Sequence, residues 1–482
     1  MRGSRPFRAD AHRIRRVLRL RCVAAVVMAI AALSVPATVG AQLATSLPSP
    51  AESGDLLDVG LSSVGEEPIE QAAPDSVLRV TLSQALQLAA NVDPNYVAAL
   101  RQVGDADWVR RQAWMAFVIP SAQFQWSFNR FSSPQFNLGT GDLADELATA
   151  SLGARYDLFT GGARIYNMQG SAARVDGARA GELQARFETA LGTEADYYQV
   201  IAQTELLRVA QERTARAEQQ LDIARARVLS GAAVQTDSLQ LLLELTRAQV
   251  EELQQDASVK VSRLQLGRRI GHSGPADAVP LDTLPAQQLP ITEVEAYREA
   301  LTSSPRVEVV QAEARVADAF FKSERGSYFP TISLFGQWAG FDDQIIPDAT
   351  TRTTYGVSLN FPLWDGANRE IRVYRANTLR QVAEAARLDT EREVGRNIVA
   401  AYQAYDAARA SAELAARAVV VARENLRVQQ ERYQAGATTI LDLLVAQVNR
   451  TEAEAGLVQA RFTTRLALAG VEAILGRRLF DK

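Results

Sequence analysis

The sequence has almost none of the residues that build redox, metal or nucleophile sites. Its 482 residues include one cysteine, Cys22, and two histidines, His12 and His272. So few thiols and imidazoles exclude disulfides, Cys/His metal clusters and histidine-based nucleophile arrangements. The motifs GxxxxGKS/T, GxSxG and HExxH are also absent. We therefore expect no enzyme activity, no metal and no cofactor, and a carboxylate-only hydrolase is the one enzymatic alternative left open.

Apolar runs of membrane-spanning length are lacking too. The run Cys22–Val35 follows an arginine-rich segment and precedes small residues, an order typical of a secretory signal peptide cut after Ala41. It is shorter than the roughly 20 residues that a membrane-spanning helix needs. Arg15-Arg16 leaves a twin-arginine signal open as an alternative route. Leu20-Arg21 before the cysteine is not a lipoprotein context, so we expect no lipid anchor.

The charge of the mature chain is strongly acidic. Residues 1–41 hold eight arginines and one aspartate, so their removal changes the formal net charge from −4 to −11. Such a chain is poorly suited to the phosphate backbone of a nucleic acid. We therefore expect no nucleic-acid partner.

The sequence contains an internal duplication. A shift of 205 residues superposes eight positions without a gap, namely Gly161/Gly366, Tyr197/Tyr402, Leu221/Leu426, Arg227/Arg432, Gly231/Gly436, Asp237/Asp442, Leu239/Leu444 and Gly271/Gly476. Upstream the shift grows to 210 for Pro120/Pro330 and to 211 for Pro94/Pro305. This pattern predicts two tandem structural repeats.

Each copy has the same order of predicted elements. A helix begins at a cap-plus-proline pair, Asp93-Pro94 or Ser304-Pro305, and ends before Pro120 or Pro330. Alternating apolar and polar residues then predict two strands per copy, hence two two-stranded sheets and four amphipathic strands per chain. The loop between the first pair is expected over 132–148, and that of the second near 341–352.

Very long helices follow the strands in both copies. Residues 161–229 as one helix would measure about 100 Å at 1.5 Å per residue. Gly231 and Gly436 are expected to end these helices as C-cap glycines and to reverse the chain. The next helix carries apolar residues at heptad spacing, which predicts left-handed supercoiling against a neighbouring helix. In the first copy this seam consists of Leu239, Leu243, Thr246, Val250, Leu253 and Ala257.

These observations divide the chain into six predicted segments. They are a signal peptide, a flexible leader, a first repeat, a Pro-rich connector, a second repeat and a short tail, over 1–41, 42–77, 78–271, 272–291, 292–476 and 477–482.

The motifs of the two repeats resemble the outer-membrane efflux protein family, the TolC-like outer-membrane factors, over roughly residues 80–476. The likeness rests on a helix-start motif, on the strand-to-helix corners with Gly161, Gly162 and Gly366, and on the hairpin motifs Arg227-x3-Gly231-x5-Asp237 and Arg432-Tyr433-x2-Gly436-x5-Asp442. The helix-start motif is Thr81-Leu82-Ser83-Gln84-Ala85-Leu86 with Asn91 and Pro94.

The resemblance implies a fold class that is mainly α with a small β part. Three chains would form a trimeric 12-stranded β-barrel in the outer membrane of a Gram-negative bacterium, continued by an α-helical barrel in the periplasm. It implies an exit duct for a tripartite efflux pump or a type I secretion system. The partners would be a periplasmic adaptor, an inner-membrane pump and outer-membrane lipid.

The resemblance also implies a gate where the hairpins end. Asp442 corresponds to a pore-constricting carboxylate, Asp237 to its counterpart in the other hairpin, and Tyr433 to a tyrosine of the closing network. Thr438 stands where TolC has a gate arginine and Val445 where it has a second aspartate, so this lock would be weaker or use other partners. Alternatively, or in addition, both aspartates stabilise the first turns of their helices through the helix dipole, with Thr439 to Asp442 as a capping box.

A non-channel role is the main alternative hypothesis. The long hairpins could belong to a periplasmic coiled-coil adaptor or to an adhesive protein. An adaptor would carry one hairpin between the halves of a β-rich domain. The duplication and the paired strands therefore favour the channel.

Overall fold

The structure is a computed structural model that describes residues 77–137, 141–231, 233–280, 288–344 and 350–480. The predicted signal peptide and all but the last residue of the predicted leader lie outside these residues. So do 281–287 of the predicted connector and 481–482 of the predicted tail. Helices account for most of the described residues, which confirms a fold that is mainly α with a small β part.

Four helices of the first copy recur in the second. The first four are α1 Leu82–Val92, α2 Pro94–Val118, α3 Ala163–Leu229 and α4 Gln235–Arg269. The second four are α5 Glu293–Ser303, α6 Pro305–Arg325, α7 Asn368–Gln434 and α8 Ile440–Leu475. Helices α3 and α7 have 67 residues each, and both of their ends differ by the 205-residue shift. Each therefore measures about 100 Å, as the sequence predicts.

The short helices begin at side-chain caps that the sequence encodes. Thr81 and Thr292 form capping boxes with Gln84 and Glu295, so two otherwise unpaired backbone N–H groups are satisfied at each start. Pro94 and Pro305 occupy first-turn positions where a missing N–H has no cost. Among the described residues, no helix is both long enough and apolar enough to cross a lipid bilayer.

The six described strands form two sheets. They are β1 Leu78–Val80, β2 Ser121–Phe136, β3 Leu143–Thr160, β4 Ala276–Ala278, β5 Thr331–Asp342 and β6 Thr350–Asn360. The larger sheet is antiparallel throughout, in the order β2-β3-β5-β6. The expectation of two separate two-stranded sheets is therefore wrong, because β3 of the first copy pairs with β5 of the second. In the described chain β2 and β6 each have one unpaired edge.

Two further details of the strands differ from expectation. The predicted loop over 132–148 is much shorter, since β2 runs to Phe136 and β3 begins at Leu143. After a register shift between Arg130 and Gln135, the pairing resumes with Gln135 opposite Ala144 and Phe136 opposite Leu143. The parallel pair β1–β4, in register at Leu78 and Ala276, was not predicted because three-residue strands carry no periodicity signal.

The large sheet has one apolar and one polar face. Phe124, Leu152 and Trp338 lie opposite one another on the apolar face, and Gln123, Gly153 and Gln337 do so on the polar face. The apolar face is open to solvent in the single chain, where Phe124 is 67% exposed and Val357 65%. A sheet of this kind requires an apolar environment outside the chain.

A buried cluster joins the two hairpins α3–α4 and α7–α8. It lies at the end of the long helices that is remote from the large sheet. Leu221 of α3, Leu241 of α4, Leu426 of α7 and Leu443 of α8 are each at most 3% exposed and belong to this one cluster. It places the two helix turns side by side. These turns carry the predicted gate residues.

Candidate gate at the hairpin ends

Both hairpins end on a glycine in the left-handed conformation. Gly231 has φ 74° and Gly436 has φ 73°, values that residues with a Cβ rarely adopt. The N–H of Gly436 donates to the carbonyl of Tyr433 at 3.0 Å, and that of Ala437 donates to Arg432 at 2.8 Å. This pair of bonds is a Schellman motif, which satisfies the last carbonyls of α7. The glycines thus position the turns rather than take part in chemistry.

Tyr433 brings residues of both hairpins together. Its hydroxyl donates to Oδ2 of Asp237 on α4 at 3.4 Å. The guanidinium of Arg227 on α3 lies 4.7 Å from the centre of its ring and donates to its backbone carbonyl. Tyr433 is only 5% exposed, and burial together with the nearby Asp237 raises the pKa of its hydroxyl. The phenol is therefore protonated at neutral pH and available as a donor.

Asp442 makes its hydrogen bonds within its own turn. Its Oδ2 accepts from the hydroxyls of Thr439 at 2.7 Å and Thr438 at 2.8 Å and from the Thr439 N–H at 3.2 Å. These bonds, the Thr439 hydroxyl first, lower the pKa of the carboxyl. The capping box is therefore present. Among the described residues, no hydrogen bond or ion pair joins Asp442 to Asp237.

A network of charges lies deeper between the hairpins and was not predicted. Glu454 of α8, 5% exposed, accepts from Arg423 of α7 at 2.9 Å and from Arg450 at 3.1 Å. Arg216 of α3 lies 4.0 Å from its other oxygen. A sequence pattern offers no signal for this network, because charged residues on helices are usually solvated.

The strand-to-helix corners are tight turns at the opposite end of the long helices. Gly161 and Gly162 have φ 63° and 83°, and Gly366 has φ 68°. Ala367, which the 205-residue shift aligns with Gly162, has φ 63°. A Cβ built on Gly161 would lie 2.0 Å from the carbonyl oxygen of Gly326, so only glycine fits there.

An arginine follows each corner and was not among the predicted residues. Arg369, 8% exposed, lies 3.5 Å from the carboxylate of Asp365 and over the ring of Tyr328. Arg164 lies over the rings of Phe117 and Tyr156. The same 205-residue shift aligns the two arginines, and this signal could have identified them.

Two bacterial proteins are similar in sequence along most of this chain. Protein CyaE of Bordetella pertussis is 28% identical over 360 residues, which cover 71% of this chain and 74% of that protein. The cobalt-zinc-cadmium resistance protein CzcC of Cupriavidus metallidurans is 26% identical over 435 residues, covering 87% of this chain and 94% of that protein.

Solved structures share the fold. The CmeC outer membrane channel of Campylobacter jejuni superposes with a TM-score of 0.71 at 14% identity, over 82% of this chain and 85% of that one. The model of the outer membrane efflux protein family matches residues 86–272 and 296–477. Since these segments make up most of the sequence and contain both hairpins and all four long strands, the chain belongs to the outer membrane efflux protein family.

Proposed function

We propose that three copies of this chain form the exit duct of a tripartite efflux pump or type I secretion system. The observation that carries the proposal is the four-stranded sheet with an exposed apolar face and unpaired edges on β2 and β6. Unpaired backbone groups cannot stay open in hydrocarbon, so the sheet must close through other copies. Localisation in the outer membrane follows from the family and agrees with this sheet.

The number of copies follows from the size of the lumen. Two copies would give eight strands, a barrel whose interior is about filled by side chains. Three copies give twelve strands and are the smallest closed set that leaves room for a passage. The polar face with Gln123 and Gln337 would line it, and Phe124 and Trp338 would face lipid.

The heptad seam of α4 supports the same assembly. Leu239, Leu243, Val250 and Leu253 are 57%, 51%, 49% and 71% exposed in the single chain. The seam therefore faces away from this chain's own helices, although its spacing is that of a coiled-coil contact. A neighbouring copy would cover it, and the long helices would then wall a periplasmic conduit.

The hairpin ends are the proposed gate and docking site. Asp237 and Asp442 would form rings of carboxylates in the trimer, which act at close range across a narrow pore. Leu229 and Val234, 89% and 63% exposed at the turn of the first hairpin, offer apolar contacts for a periplasmic adaptor, with an inner-membrane pump beyond it.

The test is purification from outer membranes followed by planar-bilayer recording. We expect a heat-modifiable, detergent-stable trimer that conducts ions in lipid bilayers. A water-soluble monomer recovered from the periplasm, with no conductance, would contradict the duct and favour the adaptor or adhesive role.

A further inference from the structure

A partly open cavity of about 150 Å³, with both polar and apolar walls, lies between the two hairpins beside Tyr433. Arg216 and Gln220 of α3 line one side of it. Gln430 and Tyr433 of α7 and Leu443 of α8 line the other. Because its walls come from both hairpins, whatever fills it contacts both.

The cavity wall holds a buried amide without partners. Gln220 is 6% exposed, and neither its Oε1 nor its Nε2 has a hydrogen-bond partner among the described residues. Gln447, one turn beyond Leu443 on α8 and 7% exposed, likewise has an unpartnered Nε2. Buried donors left without acceptors are costly, so Gln220, the one of these two amides that lines the cavity, calls for a polar occupant.

The charges beside the cavity do not cancel. Arg216, Arg423 and Arg450 share two carboxylates, since Glu454 contacts all three and Glu212 lies 3.4 Å from Arg216 and 3.8 Å from Arg450. Glu212 also pairs with Arg208, but that arginine brings its own partner, Glu205. The connected network therefore has one positive charge in excess.

Arg423 is 57% exposed and is screened by water, so the weakly paired cation of the network is Arg216, whose carboxylate contacts measure 3.4 and 4.0 Å. The side chain of Arg216 is 15% exposed and that of Arg450 is 21%. Burial and the nearby Arg450 lower the pKa of the Arg216 guanidinium. A partly buried cation with such long contacts is stabilised by a further counter-charge.

We propose that this cavity binds one small hydrated inorganic anion, of the charge and size of chloride, between the guanidinium of Arg216 and the amide of Gln220. The two residues are one helical turn apart on α3 and so face the same side. With about 30 Å³ for each water, the cavity holds the anion and two or three waters. These waters supply the donor that Gln220 Oε1 lacks.

The bound anion links the two hairpins directly behind Tyr433. Separation of the hairpins opens the cavity and releases it, so the anion favours the closed tip. This coupling rests on the proposed gate, whereas the binding itself does not.

Thermal unfolding of the detergent-extracted full assembly measures binding without any channel activity. We expect replacement of gluconate by chloride at equal ionic strength to raise the Tm by about 2 °C or more. Gln220→Leu removes this rise. Gln211→Leu, at an exposed position on the same helix, retains it. An equal rise in all three proteins, or none in the parent, overturns the proposal.

A charge substitution determines the sign of the occupant. Gln220→Glu places a carboxylate in the cavity, so the variant is expected to be at least as stable in gluconate as the parent is in chloride, and to respond to neither salt. If Gln220→Glu keeps the chloride-dependent rise in Tm of the parent, the carboxylate has displaced no anion and the proposal fails. Bromide-soaked crystals are expected to show anomalous density beside Arg216, and a cavity without it counts against the anion.

Planar-bilayer recording then separates the binding site from the gate. Chloride is expected to reduce the open fraction of the parent, and Gln220→Glu to be closed in either salt. A chloride-dependent Tm in a protein that never conducts would support the anion site and contradict the duct. A conducting protein whose Tm and open fraction do not change with chloride would support the duct and contradict the anion site.

Discussion

The hydroxyl of Tyr433 donates a hydrogen bond to Oδ2 of Asp237 and so connects α7 of the second hairpin to α4 of the first, 196 residues apart in sequence. The contact lies beside the buried cluster that holds the hairpin ends together. Arg227 of α3 lies over the ring. Three of the four long helices thus meet at one side chain, and the predictions about gating start there.

Tyr433→Phe is expected to favour the open tip. It removes the hydroxyl but keeps the ring against Arg227, and a net hydrogen bond contributes roughly 0.5–1 kcal/mol. The open fraction in planar bilayers should therefore rise about 2- to 5-fold. Tyr402→Phe is the matched control, because its hydroxyl donates to Ile291 at 3.2 Å, remote from the tip. An unchanged open fraction in Tyr433→Phe would mean that the contact plays no part in gating.

Asp237→Ala and Asp442→Ala are expected to weaken block by divalent cations. Carboxylates from three chains would together form an acidic ring that attracts such ions at close range. The measurement is the concentration of magnesium that halves the conductance of each variant and of the parent. If both variants are blocked like the parent, the two aspartates form no acidic ring, and Asp442 acts only in the capping box of its helix.

The cap itself has a predictable pH dependence. The pKa of Asp442 in the folded protein lies below its usual value of 3.8, so the carboxylate's contribution is complete above that value. It is lost as the pH falls from 3.8 through the lowered pKa. Unfolding profiles of the parent and of Asp442→Asn should therefore differ at neutral pH and converge in acid. Profiles that stay parallel throughout would contradict a role for the charge.

Two alanine substitutions at the first strand-to-helix corner are expected to differ strongly in how much they destabilise the fold. Gly161→Ala places a Cβ 2.0 Å from the Gly326 oxygen, whereas the nearest neighbour of a Cβ on Gly162 is Tyr166 at 3.5 Å. Gly162→Ala should cost only the strain of a left-handed residue, about 1–2 kcal/mol. Gly161→Ala should cost more than about 4 kcal/mol and prevent assembly. Comparable yields of heat-stable assembly from both variants would disprove the corner geometry.

Two adjacent tyrosines should respond to phenylalanine with opposite signs. The Tyr197 hydroxyl donates to Val279 at 2.7 Å, whereas the buried hydroxyl of Tyr198 has no hydrogen-bond partner among the described residues. Tyr197→Phe should therefore destabilise the fold by about 1 kcal/mol, and Tyr198→Phe should stabilise it by a similar amount. Thermal or denaturant unfolding at pH 7 measures both.

The same pair predicts alkaline behaviour. Burial, with Glu194 next, raises the pKa of Tyr198 from 10.0 to about 12. The unfolded chain then loses this proton first, so the stability of the parent falls as the pH rises from 10 towards 12. Tyr198→Phe should show a smaller decline over that interval. An identical decline would place the alkaline sensitivity in other tyrosines.

Much of the site could be predicted from the sequence because the hairpin motif occurs twice in the chain. The shift that aligns Gly231 with Gly436 located both turns, and it also aligns Arg164 with Arg369, which were overlooked. The gate roles of Tyr433 and Asp237 were inferred only through family resemblance, and the contact between them was not predicted. Glu454 and its arginines carried no signal, since hydrophobic spacing does not reveal which charged residues face another helix.

The sequence alone determined the elements and their repetition: helix ends from prolines, caps and glycines, strand faces from alternation, and the length of α3 and α7 from the absence of prolines. These features depend on residues close together in the chain. Only the tertiary structure decided that β3 pairs with β5 in a single sheet, that β1 pairs with β4, and that an arginine network and a partly open cavity lie between the hairpins. Those contacts join residues far apart in sequence, and their energies depend on packing geometry and burial that no local pattern encodes.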